Sequence, residues 1–309
     1  MGQLFPLRES SGKESFRAAT SLTNWCMRML SLFSRIRGKR HENRSNQVRI
    51  AVISTPRCGN TWLRLMLNNA YQFDRHDNGE LHLYSPFETP WSALPERCVM
   101  MTHWHRVEPL ISLLKEHEFV VVTLARHPLD VLLSILQYAP CEGSLRWLEG
   151  MAGDEWPIFH VSPQSEAFLE YATSPRAQAL LAVSAQWWTA PGCHQIRYET
   201  LVDNPLQTLT QLAKKLGVAP SVPFEESVEA NKLDRLQSTE RQRVDAPARH
   251  FWQGKPGLWR SLLSADAARR IAEVHHEVFV KLGYSCKPDP GMDDSTATRN
   301  WLSLREPNR

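Results

Sequence analysis

The architecture of this chain can be worked out from one short segment, Ile50-Ala51-Val52-Ile53-Ser54-Thr55-Pro56-Arg57-Cys58-Gly59-Asn60-Thr61-Trp62-Leu63. A β-branched apolar run stops, turns through Gly59, and continues as an amphipathic helix that begins near Asn60. The N–H groups of a first helical turn lack partners within the helix, and the helix dipole adds partial positive charge there. Arg57 adds a full charge, and Asn60 and Thr61 add side-chain donors, so the segment predicts a phosphate-binding loop.

This loop has two simpler interpretations. The first is an ordinary βα turn with a surface arginine, because short motifs often match by chance. The second is a Walker loop for ATP or GTP, which requires G-x-x-x-x-G-K-[ST]. No Lys-Ser or Lys-Thr pair follows Gly59, so nucleotide hydrolysis of that kind loses support. The ordinary turn can be distinguished from the phosphate loop only by the rest of the chain.

From residue 48 onward, strand patterns alternate with helix patterns. Strands are predicted at residues 48–54, 98–103, 119–124 and 193–198. The continuous apolar run of the third fits a parallel strand that is covered on both faces. The alternation predicts an α/β fold with an open, mainly parallel sheet flanked by helices. Ligands of such sheets bind at the carboxyl ends of the strands, and four candidate side chains lie at or just beyond these ends: Arg57, His103, Arg126 and Tyr198.

Four segments of the chain resemble the motifs of the sulfotransferases that use PAPS, 3′-phosphoadenosine 5′-phosphosulfate. They are Pro56–Leu63, similar to the 5′-phosphosulfate loop P-[KR]-S-G-T-T-W-L; Arg126–Ser134, similar to the 3′-phosphate segment R-x-P-x-D-x-x-x-S; Tyr198–Pro205, similar to Y-E-D-L-x-x-x-P; and Gly254–Trp259, similar to the end of R-K-G-x-x-G-x-W. Met101-Thr102-His103 stands where the family has K-T-H, which carries the catalytic base. The order and spacing match from about residue 48 to 284.

The resemblance implies a P-loop nucleotide-hydrolase-like fold and in-line transfer of a sulfuryl group from PAPS to a hydroxyl or amine acceptor, leaving PAP. It implies that His103 is the general base and that Arg57 stabilises charge on the leaving group. The chemistry requires the same kinds of residue. PAPS carries phosphates at both ends of its ribose, so it needs two anion sites, and sulfuryl transfer, like phosphoryl transfer, is catalysed by positioning and electrostatic stabilisation. No metal is expected. The implied nucleotide contacts are Arg57, Cys58, Gly59, Asn60, Thr61, Trp62, Arg126, Ser134, Tyr198, Gly254 and Lys255.

Most of these residues also have a purely structural interpretation. Arg126 has a potential salt-bridge partner in Asp130, instead of a 3′-phosphate. Ser134 is either a second phosphate donor or a small buried residue. Trp62 and Tyr198 either flank the adenine by stacking or are core aromatics.

His103 has a rival base in His105. If the strand persists, the two side chains point to the same face, and the resemblance favours His103. A neutral imidazole with a reference pKa near ~6.5 suits a general base. The two histidines alone do not make a metal site, because no third ligand is evident nearby.

The chain departs from the family pattern at several positions. Cys58 replaces a serine and Asn60 a threonine, and a cysteine at a helix N-terminus is expected to have a lowered pKa and to be oxidisable. Met101 stands where many members have lysine. Trp252 and Gln253 replace the Arg-Lys pair, which removes an expected cation for the 3′-phosphate. Three nearby cations are candidates to replace that charge: Arg249, Lys255 and Arg260.

The composition is that of a globular protein with a mild positive charge. The 309 residues are 42% hydrophobic and carry a formal net charge of +3. This charge suits anionic ligands but predicts no broad basic face for nucleic acid. The six cysteines form no C-x-x-C pair and no zinc-like spacing, so a reducing compartment, the cytoplasm, is expected.

Three regions are predicted along the chain. Residues 1–47 are a basic leader in which apolar residues recur with a helical period, and Arg28 interrupts the run too early for a transmembrane span. A secretory signal is not expected either. Residues 16–40 fit a helix on an anionic membrane surface, or else a helix packed on the domain or a poorly ordered leader. Residues 48–286 are the predicted sulfotransferase domain, and residues 287–309 a loose C-terminal tail.

The sequence leaves the acceptor and two other functions open. A small molecule or a carbohydrate is expected as acceptor, and no oligomeric state is predicted. A degenerate PAP- or PAPS-binding protein without activity is suggested by Met101 and Trp252, whereas the missing Lys-[ST] pair argues against a P-loop kinase. Four tryptophans in loops near the strand ends line an acceptor pocket or else cap the core: Trp91, Trp104, Trp147 and Trp156.

Overall fold

The computed structural model describes residues 47–73, 85–139, 158–241 and 250–305. The chain divides into two units, Met1–Gln47 and Val48–Arg309, and all described helices and strands belong to the second. The helix and the membrane contact predicted for residues 16–40 lie outside the described residues. Among the described helices, none is both long and apolar enough to span a bilayer.

Four parallel strands form the central sheet in the order β2-β1-β3-β4. They are β1 (Val48–Ile53), β2 (Arg97–Thr102), β3 (Val120–Ala125) and β4 (His194–Arg197). Every residue from Ile50 to Ile53 is 0% exposed. Because consecutive side chains of a strand point to opposite faces, both faces of β1 are covered. The predicted α/β fold, a parallel sheet flanked by helices, is confirmed.

Helices connect the strands and continue after the last one. In the described residues they are α1 (Asn60–Tyr71), α2 (Glu108–Glu116), α3 (Pro128–Tyr138), α4 (Glu166–Ala172), α5 (Pro175–Trp188), α6 (Tyr198–Asp203), α7 (Pro205–Leu216), α8 (Phe224–Ala230), α9 (Leu233–Arg241), α10 (Trp259–Leu262), α11 (Ala265–Val274), α12 (His276–Leu282) and α13 (Asp294–Arg305). A 3-10 turn covers Trp91–Ala93. Helix α1 packs on β1 and β2 and buries Leu63, Met66 and Leu67, the spacing of an amphipathic helix.

The C-terminal residues differ from the prediction. Residues 287–309 were expected to be loose, but α13 covers Asp294–Arg305 and buries Ala297 and Trp301. The Asp293 carboxylate caps the helix by accepting the Thr296 N–H at 2.7 Å. The prediction is therefore wrong for these residues, because a buried tryptophan and an N-terminal cap outweigh the Pro- and Asp-rich composition of the segment before the helix.

Candidate active site

The residues that follow the four strands meet at one edge of the sheet. The strands are adjacent and parallel, so their carboxyl ends lie side by side. Beyond β1 and β2, the Nδ1 atom of His103 lies 2.7 Å from the Ser54 carbonyl oxygen. Beyond β3 and β4, the Arg126 guanidinium lies 4.4 Å from the centre of the Tyr198 ring. The structure thus brings together the side chains predicted at the strand ends.

Hydrogen bonds to α5 and within the loop hold the segment 54–60 in place. The Thr55 N–H donates to the Ser184 hydroxyl at 2.8 Å, and the Thr55 hydroxyl donates to the Leu180 carbonyl at 2.8 Å. The Asn60 amide donates to the Thr55 carbonyl at 3.0 Å, and Asn60 is only 3% exposed. The Asn60 side chain therefore orders the loop from inside.

The turn between β1 and α1 requires glycine. Gly59 has a φ of +95°, and a Cβ atom there would lie 2.7 Å from Cδ2 of Tyr198. Any side chain would push this ring away from the turn. Gly59 is also the N-cap residue, so no side chain caps α1, and its first turn contains no acidic residue. These features leave the first-turn N–H groups available as donors to an anion.

Two further side chains of this turn, Thr61 and Trp62, contact residues outside the loop. The Thr61 hydroxyl lies 3.5 Å from the Met101 sulfur, which is a weak acceptor. The half-buried Trp62 donates its indole N–H to the Asn231 carbonyl at 2.8 Å, so one edge of its ring is anchored. The Thr61 hydroxyl can exchange its thioether partner for a phosphate oxygen at small cost.

Arg57 connects the loop to α3 and to the segment that begins at residue 250. Its Nε donates to the Ser134 hydroxyl at 3.1 Å, and its guanidinium lies 4.3 Å from the centre of the Tyr138 ring. Its Nη2 donates to the His250 carbonyl at 2.6 Å, and its Nη1 lies 3.3 Å from His250 Nδ1. The φ of Arg57 is +68°, an uncommon conformation for a residue other than glycine.

His250 is a site residue that no sequence motif indicated. Burial, and next the charge of Arg57, lower the pKa of His250 to about 3. The ring is therefore neutral at neutral pH and does not repel Arg57. Arg57 belongs to the loop predicted for the 5′ end, and through its contact with Ser134 it also reaches the residues predicted for the 3′ end.

Arg126 lies deeper than Arg57 and is only 6% exposed. Its Nη1 donates to the Arg57 carbonyl at 3.1 Å, while its Nε is buried without a hydrogen-bond partner among the described residues. The carboxylate of Asp130 instead accepts the N–H groups of Gly257 at 2.6 Å and Trp259 at 2.9 Å. Asp130 thus joins the Arg126–Ser134 segment to the Gly254–Trp259 segment.

Tyr198 and Glu199, which follow β4, hold neighbouring segments of the site by hydrogen bonds. Tyr198 is 6% exposed and donates its hydroxyl to the Gly254 carbonyl at 2.6 Å. The Glu199 carboxylate accepts the His127 N–H at 2.9 Å and the Tyr284 hydroxyl at 2.7 Å. Sequence reasoning did not single out Glu199, although an acid inside a matched motif was a signal. The pair thus holds the backbone at His127, next to Arg126, and at Gly254.

His103 is neutral and oriented. Burial, and to a smaller extent the charge of Arg57, lower its pKa to about 4, against the opposing effect of the hydrogen bond to Ser54. Because Nδ1 faces a carbonyl oxygen, we assign the proton to Nδ1, which leaves Nε2 as the proton acceptor. Strand β2 ends at Thr102, and His105 pairs with Gln186 at 3.1 Å instead.

The predicted reactivity of Cys58 is wrong. Its thiol is 1% exposed, and burial raises its pKa to about 12 although Arg126 and a hydrogen bond with Ser184 oppose the shift. The position at the start of a helix lowers a thiol pKa only where the sulfur faces the N–H groups. Cys58 can therefore contact a phosphate only through its backbone N–H.

Two of the three cations that could replace the missing charge are exposed, and their contact with the nucleotide stays a prediction. Lys255 is exposed, and the exposed Arg260 donates to the Lys287 carbonyl at 2.8 Å, whereas Arg249 lies outside the described residues. Trp252 packs edge-on against Trp301, with ring centres 5.9 Å apart.

The loop tryptophans that the structure describes belong to the core. Trp91 is 6% exposed and Trp104 is 5% exposed, and their ring centres are 6.0 Å apart. The Trp104 carbonyl also accepts the indole N–H of Trp187 at 2.9 Å. They do not line an acceptor pocket, and Trp147 and Trp156 lie outside the described residues.

The fold is that of a P-loop-like α/β protein, and the loop between β1 and α1 contains no Walker lysine. Within the described residues, no three His, Cys, Asp or Glu side chains cluster as a metal site requires. A family model of the sulfotransferase domain matches residues 47–283. The chain therefore belongs to the sulfotransferase domain family, and its reaction class is sulfuryl transfer.

Solved structures of low sequence identity are similar to this chain. Mouse sulfotransferase SULT7A1 complexed with PAP is 15% identical, covers 78% of this chain and 90% of its own, and has a TM-score of 0.55. Retinol dehydratase in complex with androsterone and the inactive cofactor PAP is 16% identical, covers 75% of this chain and 80% of its own, and has a TM-score of 0.49. No curated protein sequence matches the chain.

Proposed function

We propose that this protein transfers the sulfuryl group of PAPS to a hydroxyl or amine of a small-molecule or carbohydrate acceptor, with His103 as the general base. The observation that carries the proposal is a neutral histidine beside an anion-binding loop that two arginines border. PAPS supplies the sulfuryl group and leaves as PAP. The family membership supports the reaction class, and the site contacts support the assignment of residues.

The donor set fits a ligand with phosphate groups at two places. The first-turn N–H groups of α1, with Thr61, form one group of donors. Arg126 and Ser134 form the other, and the buried Nε of Arg126 has no protein partner among the described residues. An unpaired buried guanidinium N–H is costly unless a ligand accepts it. Arg57 lies between the two groups and can stabilise charge on the leaving phosphate.

His103 is suited to take the acceptor proton. Its Nδ1–H donates to the Ser54 carbonyl, so the orientation of the ring is fixed and Nε2 keeps its lone pair. A pKa of about 4 makes it a weak base in the free protein. Negative charge bound beside it favours the protonated form and raises this pKa toward the useful range. Cationic side chains and helix N–H groups take the charge-stabilising role that Mg²⁺ has in kinases.

The proposal is tested by PAP binding and by transfer. Calorimetry in metal-free buffer should show stoichiometric PAP binding, and desalted extract incubated with labelled PAPS should yield a labelled product that identifies the acceptor. Absence of PAP binding would overturn the proposal. Binding without transfer across broad acceptor panels would favour a PAP-binding protein without activity, and Mg²⁺-dependent ATP turnover with no response to PAP would favour a kinase.

The role of His103 is tested separately with a matched histidine. Replacement His103→Ala should lower the rate of transfer about 100- to 10,000-fold, the usual contribution of a general base, and leave the PAP dissociation constant within about twofold. His105→Ala, which removes only the contact with Gln186, should leave transfer nearly unchanged. Equal losses in both variants would contradict the assignment of the base.

A further inference from the structure

The C-terminal helix α13 lies outside the part of the chain that matches the sulfotransferase family, yet it packs against Trp252 and α10, which flank the predicted nucleotide contacts Gly254 and Lys255. The match ends at residue 283, and α13 covers Asp294–Arg305. The amide of Asn300 donates to the Ser261 carbonyl at 2.9 Å, so the helix is docked on α10. Trp301 is 4% exposed and belongs to the core.

The partner of Trp301 is the residue that departs most from the family pattern. The Trp252 ring packs edge-on against Trp301, at 5.9 Å between ring centres and 66° between ring planes. Edge-to-face pairs of this kind stabilise beyond the area that they bury. Where the resemblance places an arginine, this chain has an aromatic ring that contacts the C-terminal helix.

The segment 250–257, which we call the late loop, is also bound from the other side. His250 accepts from Arg57 at 2.6 Å, and Gly254 accepts from Tyr198 at 2.6 Å. Gly257 donates to Asp130 at 2.6 Å. These three contacts hold the late loop by its backbone on one side, and the Trp252–Trp301 contact holds it by a side chain on the other.

We propose that α13 is a positioning element of the nucleotide site and acts through the contact between Trp301 and Trp252. Packing from outside the site then holds the late loop, where other family members are expected to rely on a charged contact from the loop to the ligand. The inference rests on the proposed function, because it takes the late loop as part of the PAP site. Trp301 is a positioning residue and does not contact the reacting atoms.

The test compares two neighbouring residues of α13. Trp301→Ala should weaken PAP binding about tenfold by calorimetry, since displacement of a binding loop by about 1 Å is enough for such a loss. The KM for PAPS should rise while kcat changes less than threefold. Leu302→Ala, which alters a side chain that is 55% exposed, should leave both within about twofold. Trp301→Phe, which keeps an aromatic ring, should restore most of the affinity.

A double-mutant cycle and amide exchange separate this role from a general loss of stability. If Trp301 acts through Trp252, the effects of Trp301→Ala and Trp252→Ala on PAP binding should be non-additive. The Gly257 amide, which is bonded to Asp130, should exchange faster in Trp301→Ala. If Trp301→Ala does not fold, the same measurements on Trp301→Phe and Trp252→Ala decide the question.

Two outcomes would overturn the inference. One is a folded Trp301→Ala variant with unchanged PAP affinity and unchanged Gly257 exchange, and the other is an equal loss in Leu302→Ala. A wild-type protein that binds no PAP would overturn the proposed function instead. In that case, faster Gly257 exchange in Trp301→Ala would still show that α13 positions the late loop, because this measurement needs no nucleotide.

Discussion

Two arginines follow neighbouring strands of the sheet, and the protein holds them in different ways. Arg126 is 6% exposed, lies on the Tyr198 ring, and keeps a buried Nε without a partner in the described part of the chain. Arg57 is more exposed, has a left-handed backbone conformation, and donates to Ser134 and His250.

The difference suggests two kinds of anion contact. Arg126 directly follows β3, and the next residue, His127, donates its N–H to the Glu199 carboxylate. Arg126 is thus held in place, so an anion can bind to it with little rearrangement. Arg57 must exchange existing hydrogen bonds for phosphate oxygens, and the net gain of such an exchange is small. We expect Arg126 to determine affinity and Arg57 to contribute more to transfer.

The largest effect on PAP binding is expected from Arg126→Ala, which should weaken it about 100-fold, or about 3 kcal/mol, because it removes charge-assisted hydrogen bonds from a prepared position. Calorimetry measures the change. Arg97→Ala is the control, because Arg97 donates to the Tyr71 carbonyl and lies at the opposite end of the strands. A loss below fivefold for Arg126→Ala would contradict the assignment.

Arg57→Ala should weaken PAP binding about tenfold, less than Arg126→Ala, because the new contacts replace those with Ser134 and His250. The kcat for transfer should fall by a larger factor than the affinity, if Arg57 stabilises the leaving phosphate. Single-turnover and equilibrium measurements on the same variant separate the two. Equal affinity losses in the two arginine variants would remove the distinction between them.

Asp130→Asn should weaken PAP binding about fivefold, or about 1 kcal/mol, because the carboxylate bonds to Gly257 and Trp259 become neutral. The charge of Arg126 is untouched, so the variant isolates the placement of the late loop. The exposed Asp266 provides the control Asp266→Asn. An unchanged affinity would show that the late loop does not need this carboxylate.

The smallest expected effect is on the pH dependence of stability. The folded pKa of His103 is about 4, below the unfolded value of about 6.5. The unfolded chain therefore binds more protons in this window, so stability present above about pH 6.5 is lost as pH falls toward about 4. When the pH is lowered from 7 to 5, the Tm of His103→Gln should fall by about 2 °C less than the Tm of the wild type. An identical pH dependence would show that the His103 pKa is not depressed.

Much of this fold and site follows from local sequence. The strand before Gly59, the strand before Arg126 and the helices after them depend on apolar periodicity and on glycine and proline at their ends, which are local properties. Because parallel strand ends meet at one edge, the neighbourhood of Arg57, His103, Arg126 and Tyr198 was also predictable.

The remaining features depend on contacts between residues far apart in the chain. Cys58 was expected to be reactive, but it is buried near Ser184. The contact of Arg57 with His250 and that of Trp252 with Trp301 likewise join distant segments. Neither contact produces a periodic pattern or a motif in the sequence. The composition of residues 287–309 therefore suggested a loose tail, and the replacement of the Arg-Lys pair suggested a missing cation.

Because Cys58 is buried, the reactivity of its thiol reports when the loop between β1 and α1 opens. A thiol that is 1% exposed and has a pKa near 12 reacts with an alkylating reagent only when the loop leaves its place beside α5. The alkylation rate of this one cysteine, followed by peptide mapping, therefore measures the free energy of local opening. A ligand that closes the loop slows the labelling in proportion to its occupancy, so nucleotide binding can be followed without any acceptor or product.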